Sequence, residues 1–121
     1  IVMIETAEAL ENLDEIMSTP GVDAAYIGPS DLAYAIGMEP TGDNSNAEHV
    51  ATVERIYEAA RKHNVAPGIH TGSVEFSARW LTMGFQMVTL GGDRGFLAQR
   101  VASDLRDVRE QTGATAIDPG A

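Results

Sequence analysis

An α/β fold of four consecutive βα units is what this sequence predicts. Three observations carry the prediction. Apolar, β-branched runs alternate with segments of helical periodicity along nearly the whole chain. The apolar runs are continuous rather than alternating, which suits strands of a parallel sheet covered on both faces. Gly, Pro and Asn fall between the segments, where the chain has to turn. A strand-then-helix repeat of this kind implies a parallel sheet with helices outside it.

The elements follow in order. "IVMIE" at 1–5 reads as the first strand. Thr6 is placed to cap the helix "AEALENLDEIM", in which Leu10, Leu13 and Ile16 recur at helical spacing. "TPGVD" breaks the chain, and "AAYIG" at 24–28 is the second strand. Residues 39–46, "EPTGDNSN", read as an exposed loop. "AEHVATVERIYEAARKHN" is the clearest helix, with Val50, Val53, Ile56 and Ala60 on one face. "VAPGIHT" is the third strand. Residues 73–83 form a helix that Gly84 ends, and "MVTLGG" is the fourth strand. "RGFLAQRVASDLRDVREQ" is the last helix. The folded domain is placed at 1–110, and 111–121 is expected to be a poorly ordered C-terminal tail.

Composition narrows the function classes. The chain has 121 residues, 44% hydrophobic and 21% charged, enough for one domain with a real core. No apolar run is long enough to span a bilayer, and no signal peptide is visible at the start. The chain begins at Ile1, inside a strand, and is expected to be a piece of a longer protein. The absence of cysteine excludes disulfides and thiolate metal sites and suits a cytoplasmic location. A formal charge of −10 argues against nucleic acid or an anionic membrane as partner.

Two architectures fit the repeat: an open doubly wound sheet, or half of an eight-stranded βα barrel. No GxGxxG or P-loop follows the first strand, so a nucleotide-binding open sheet loses ground. In either fold the functional residues belong at the C-terminal ends of the strands. Those ends carry Glu5, then Gly28, Pro29, Ser30 and Asp31, then His70, Thr71 and Gly72, then Gly91, Gly92 and Asp93. Glu5 and Asp31 lie one βα unit apart, on neighbouring strands at one rim. Two adjacent carboxylates repel unless a cation sits between them, and hard oxygen ligands favour Mg²⁺ or Mn²⁺, with Co²⁺ also admissible. The alternative is that both are ordinary acids at helix N-termini.

"VMIET" at 2–6, followed by "AEALENLDEIMSTPGVDAAYIGPSDLAYAIG", resembles the second half of the HpcH/HpaI aldolase family, metal-dependent class II pyruvate aldolases built on a TIM (β/α)8 barrel. "PGIHTGS" and "GFQMVTLGGDRGFLA" resemble that family's last two strand segments. The resemblance runs from Ile1 to about Glu110. It implies that a complete protein cleaves 4-hydroxy-2-oxo acids, of the 2-keto-3-deoxy sugar acid or 4-hydroxy-2-oxoheptanedioate type, to pyruvate and an aldehyde through a metal-stabilised enolate. Glu5 and Asp31 match the two metal ligands. Gly28, Pro29 and Ser30 match the loop that cradles the pyruvate carboxylate. His70 falls at a pocket position that is often apolar in the family. The family's acid–base His and carboxylate-binding Arg belong to the other half of the barrel, and no segment here resembles them. The resemblance also implies a homo-oligomer, a hexamer built from dimers.

Other residues are read more plainly. His49 and His63, on or at the end of the long helix, are expected on the solvated surface. Arg94 and Arg100 read as surface residues, Asp93 as the cap of the last helix, and Trp80 and Phe85 as packing residues. Lys62, the only lysine, sits at a helix end, badly placed for a Schiff base. A non-catalytic half-barrel, pairing with itself or with a partner half, is the competing hypothesis, because four strands leave raw edges.

Overall fold

The computed structural model describes residues 1–114. Residues Ile1–Leu90 form one compact unit, and the described residues from Gly91 onward form another. The first unit holds β1 (Val2–Ile4), α1 (Ala7–Glu11), α2 (Leu13–Ser18), β2 (Ala24–Ile27), α3 (Pro29–Ala35), α4 (Ala47–Lys62), β3 (Ala66–Thr71), α5 (Val74–Met83) and β4 (Met87–Leu90). The four strands make one parallel sheet in the order β1-β2-β3-β4. Strand order follows chain order because each helical connection returns the chain one strand further along.

The caps explain where the helices begin and stop. Thr6 accepts a hydrogen bond from the Ala9 N–H at 3.1 Å, as its position predicts. The single helix expected after it is two, α1 and α2, meeting at Asn12, whose backbone leaves helical geometry. Ser73 caps α5 at its start, and Gly84, with φ 117°, ends it in the left-handed region that favours glycine.

The sheet has two different faces. Ile4, Ala25, Ile27, Pro67 and Ile69 point toward the helices and are buried with Leu10, Leu13, Val53, Ile56 and Trp80. Trp80 and Phe85 are packing residues as expected, their ring centroids 5.4 Å apart. The alternate residues form the other face. Register pairs Met3 with Tyr26, Tyr26 with Gly68, Gly68 with Met87, and His70 with Thr89. Met3 on that face is 54% exposed, and Thr89 is exposed. Burial on both faces was expected from the apolar strands; in this chain only the helix-side face is covered.

In the second unit, α6 (Asp93–Thr112) is a single long helix that buries none of its residues. It runs past residue 110, into the segment expected to be tail. The remainder of that tail, 115–121, lies outside the described residues. Gly92 holds the N-cap position, and Asp93 is the first helical residue, its carboxylate accepting from the Arg94 N–H at 2.7 Å. Asp93 therefore is not the cap that the sequence suggested.

Candidate active site at the strand ends

Glu5 leaves the end of β1 and Gly28 the end of β2, and the register that pairs Ile4 with Ile27 sets them side by side. The contact is close enough that a Cβ on residue 28 would collide with Glu5 Oε2. Pro29 then opens α3 at a position that needs no backbone N–H. Asp31 follows in the first turn of that helix. The Glu5 carboxyl is held above its ordinary range, first by burial and then by the negative charge of Asp31. The two acids thus feel each other across the tip of β2. Helix geometry leaves the N–H groups of Ser30 and Asp31 without intrahelical acceptors, and no side chain caps them.

A cavity of about 350 Å³ opens here. Its lining contains the six residues to which the resemblance gave a metal or substrate position, Glu5, Gly28, Pro29, Ser30, Asp31 and His70, together with Met3 and Tyr26, but not the other strand-end residues Thr71, Gly72, Gly91, Gly92 and Asp93. Wider hollows of about 580 and 590 Å³ run along α1 and α2, but neither includes a strand-end carboxylate. Among the described residues no cluster of three or more His, Asp or Glu side chains could hold an ion. The Glu5–Asp31 pair offers two carboxylates, with any further ligands to come from elsewhere.

His49 is not on the surface. It is 1% exposed, and its Nε2–H donates to the Pro29 carbonyl at 2.9 Å, while Nδ1 has no partner among the described residues. The helix α4 thereby grips the turn that carries Ser30 and Asp31. The signal was available: 49, 53, 56 and 60 recur at helical spacing, and all four are buried. The face read from the sequence took Val50 in place of His49. His63 is partly covered and pairs with the exposed Asp14 at 2.7 Å, beside Lys62 at 2.8 Å. That lysine lies at the end of α4 that feeds β3, the opposite rim from the cavity.

Three further residues escaped the sequence reading. His70 Nδ1 lies 2.7 Å from Thr89 Oγ1, and the Tyr26 hydroxyl reaches the same oxygen. Period-2 counting back from the strand-end residues Gly28 and Gly91 would have placed Tyr26 and Thr89 on that face. Asp43, in the loop expected to be exposed, accepts from the Gly72 N–H at 2.9 Å, so the loop is tied to the end of β3. Arg94 is exposed, and Arg100 pairs with Asp104 at 2.9 Å within α6.

The family model for HpcH/HpaI aldolase/citrate lyase matches residues 1–99. A hydroxypyruvate/pyruvate aldolase from Rhizorhabdus wittichii is 38% identical over 109 residues, which is 90% of this chain and 43% of that protein. A 4-hydroxy-2-oxo-heptane-1,7-dioate aldolase from Escherichia coli is 35% identical over 120 residues, 99% of this chain and 44% of that one. The crystal structure of an HpcH/HpaI aldolase/citrate lyase family protein from Burkholderia cenocepacia superposes with a TM-score of 0.83 at 29% identity, over 89% of this chain and 41% of that one. The HpcH/HpaI aldolase from Desulfitobacterium hafniense gives 0.79 at 28% identity, over 97% of this chain and 44% of the other. The chain spans less than half the length of these relatives. With a matching sequence model over most of its length and the same strand-and-helix frame, this chain belongs to the HpcH/HpaI aldolase/citrate lyase family.

Proposed function

We propose that the chain is the C-terminal half of a TIM-barrel pyruvate aldolase, and that the complete protein cleaves a 4-hydroxy-2-oxo acid to pyruvate and an aldehyde. The observation that carries this reading is the Glu5–Asp31 pair: one carboxylate at the end of β1 and one in the first helical turn after β2, lining one cavity, with Glu5 held protonated more tightly by burial and then by the nearby Asp31 charge. A divalent cation relieves that repulsion, and two carboxylates completed by substrate and water suit Mg²⁺, Mn²⁺ or Co²⁺. The donor set therefore fits such an ion, with Glu5 and Asp31 holding it. When bound, the ion supplies Lewis-acid polarisation of a carbonyl.

The chain's own groups do the rest of the positioning. Glycine at 28 leaves room for the Glu5 carboxylate to lie flat against the backbone. The open N–H groups of Ser30 and Asp31 hold the substrate carboxylate, aided by the positive end of the α3 backbone. His70 lines the wall beside them. The acid–base His and a substrate-binding Arg come from the other half of the barrel, and the 121-residue chain alone is inactive. The name of the Rhizorhabdus wittichii relative supports pyruvate or hydroxypyruvate as one product, and that of the Escherichia coli relative supports a 4-hydroxy-2-oxo acid as the substrate. A lysine Schiff base has no candidate here, since Lys62 lies at the opposite rim, paired with Asp14.

Cleavage of 4-hydroxy-2-oxoheptanedioate by the complete protein, followed by pyruvate release, is the test. Activity should vanish with EDTA and return with Mg²⁺, Mn²⁺ or Co²⁺. Activity that survives chelation but dies with borohydride would overturn the reading in favour of a Schiff base.

A second reading is favoured by one observation, the uncovered sheet face bearing Met3 and Thr89. On that reading the chain is a non-catalytic half-barrel that seats a partner half. It predicts no cleavage from any preparation, and a stable complex with a second four-stranded half.

A further inference from the structure

The polar chain Tyr26–Thr89–His70 crosses three strands on the cavity side of the sheet. Tyr26 stands on β2, Thr89 on β4 and His70 on β3 between them. Tyr26 passes over residue 68 on its way to β4, and glycine there keeps the path open: a Cβ would lie 3.2 Å from Tyr26 Cδ2 and 2.7 Å from Met87 Cε. Thr89 Oγ1 meets both partners. Its single hydrogen can serve only one of them.

The direction of the chain follows from chemistry. A phenol is a better donor than an aliphatic alcohol, and an imidazole nitrogen is a better acceptor than a phenol oxygen. The favoured order is Tyr26 O–H to Thr89 Oγ1, then Thr89 O–H to His70 Nδ1. Nδ1 is then unprotonated, and the ring's one hydrogen must sit on Nε2. Nε2 has no partner among the described residues, and the ring lines the cavity that holds Glu5 and Asp31.

We infer that Tyr26 and Thr89 fix His70 as its Nε2–H tautomer, so that His70 donates a hydrogen bond to an oxygen of the oxo acid in the cavity. The donor role rests on the oxo-acid reading given above; the tautomer does not. Thr89 and Tyr26 are positioning residues, and His70 touches substrate. An N–H at this wall favours substrates that bring an oxygen to it over those that bring a methyl group, because a methyl group would take water from the half-buried donor and answer it with nothing.

The test is long-range ¹H–¹⁵N correlation on the complete protein, labelled at histidine nitrogen, at a pH where His70 is neutral. His70 should show a protonated Nε2 and an unprotonated, hydrogen-bonded Nδ1. Thr89→Val should convert Nδ1 to the signal of a free acceptor, and Thr89→Ser should restore the bonded one. Saturating pyruvate or hydroxypyruvate with Mg²⁺ should shift Nε2–H, the hydroxylated acid more. A proton on Nδ1 in the wild type, or an Nδ1 signal indifferent to Thr89→Val, overturns the inference. If neither acid shifts any resonance of the site, the oxo-acid reading and the donor role fall together, while the tautomer result stands separately. Thr89 is exposed on the sheet face of this chain, and valine is isosteric with threonine; a far-ultraviolet dichroism spectrum and melt matching the wild type show that the complete variant is folded and the comparison readable.

Discussion

The Glu5 carboxylate rests against the backbone of Gly28, in space that any other residue's Cβ would occupy. Asp31 lies close enough for its charge to act on that carboxylate. Gly28→Ala should push Glu5 aside without touching the core, since Gly28 lies at the strand tip. Divalent-cation affinity should fall by about ten- to a hundredfold, the size usual when a ligand loses its orientation. Titration calorimetry with Mn²⁺ measures it on the complete protein. Unchanged affinity would mean that Glu5 binds no ion.

His49 and Pro29 supply a second prediction. The Nε2–H to carbonyl bond ties α4 to the turn bearing Ser30 and Asp31. His49→Leu removes this bond and also removes the unpartnered Nδ1, so the two changes partly offset. The net loss should be about 1 kcal/mol, within the range for one buried hydrogen bond. The larger effect should be on KM for the oxo acid, because the cradle loosens. Urea denaturation and steady-state kinetics separate the two. A KM that stays fixed while stability falls would make His49 a core residue and nothing more.

The pH dependence follows from Glu5 and Asp14 with opposite signs. Glu5 holds its proton more tightly in the folded chain, through burial and the Asp31 charge. The stability it contributes is present below the ordinary glutamate range and is lost as pH rises through the raised folded value. Asp14 is held below its ordinary range by hydrogen bonds from Lys62 and His63. Its contribution is present above the ordinary aspartate range and lost as pH falls. Metal-free protein with Asp14→Asn should therefore lose stability as pH climbs past the glutamate range. Adding Glu5→Gln should flatten that slope. Denaturation midpoints across the acid range read both, and an unchanged slope in the double variant would remove Glu5 as the cause.

The strand ends were legible because a parallel βα repeat fixes where they face, whatever the packing. Glu5, Asp31 and His70 could be found from element order alone, and the structure brings all three to one cavity. What sequence could not supply was anything that depends on a specific partner across the fold. His49 looks like a polar helix residue until the Pro29 carbonyl stands opposite it. Tyr26 and Thr89 look like ordinary strand residues until Gly68 lets one reach the other. The split at Asn12 was also hidden, because the apolar spacing runs on through both α1 and α2.

The remaining prediction concerns assembly. On α6, Leu97, Val101, Leu105 and Val108 recur at helical spacing, each about half exposed or more, with Phe96 beside them. Four large apolar residues in one stripe form a patch that a lone soluble chain seldom leaves open. The sheet adds two unpaired edges, β1 and β4. Residues 94–108 are therefore expected to bury apolar area against a neighbouring chain or against the other half of the barrel; the complete protein should be a homo-oligomer, and the 121-residue chain alone should self-associate. Light scattering reports the mass in both cases. Leu97→Lys with Leu105→Glu should shift the complete protein toward smaller species while its far-ultraviolet dichroism is unchanged, because neither side chain is buried within this chain. A 121-residue chain that stays monomeric at high concentration and melts cooperatively would show that the stripe needs no partner, and the half-barrel reading would fall with the interface.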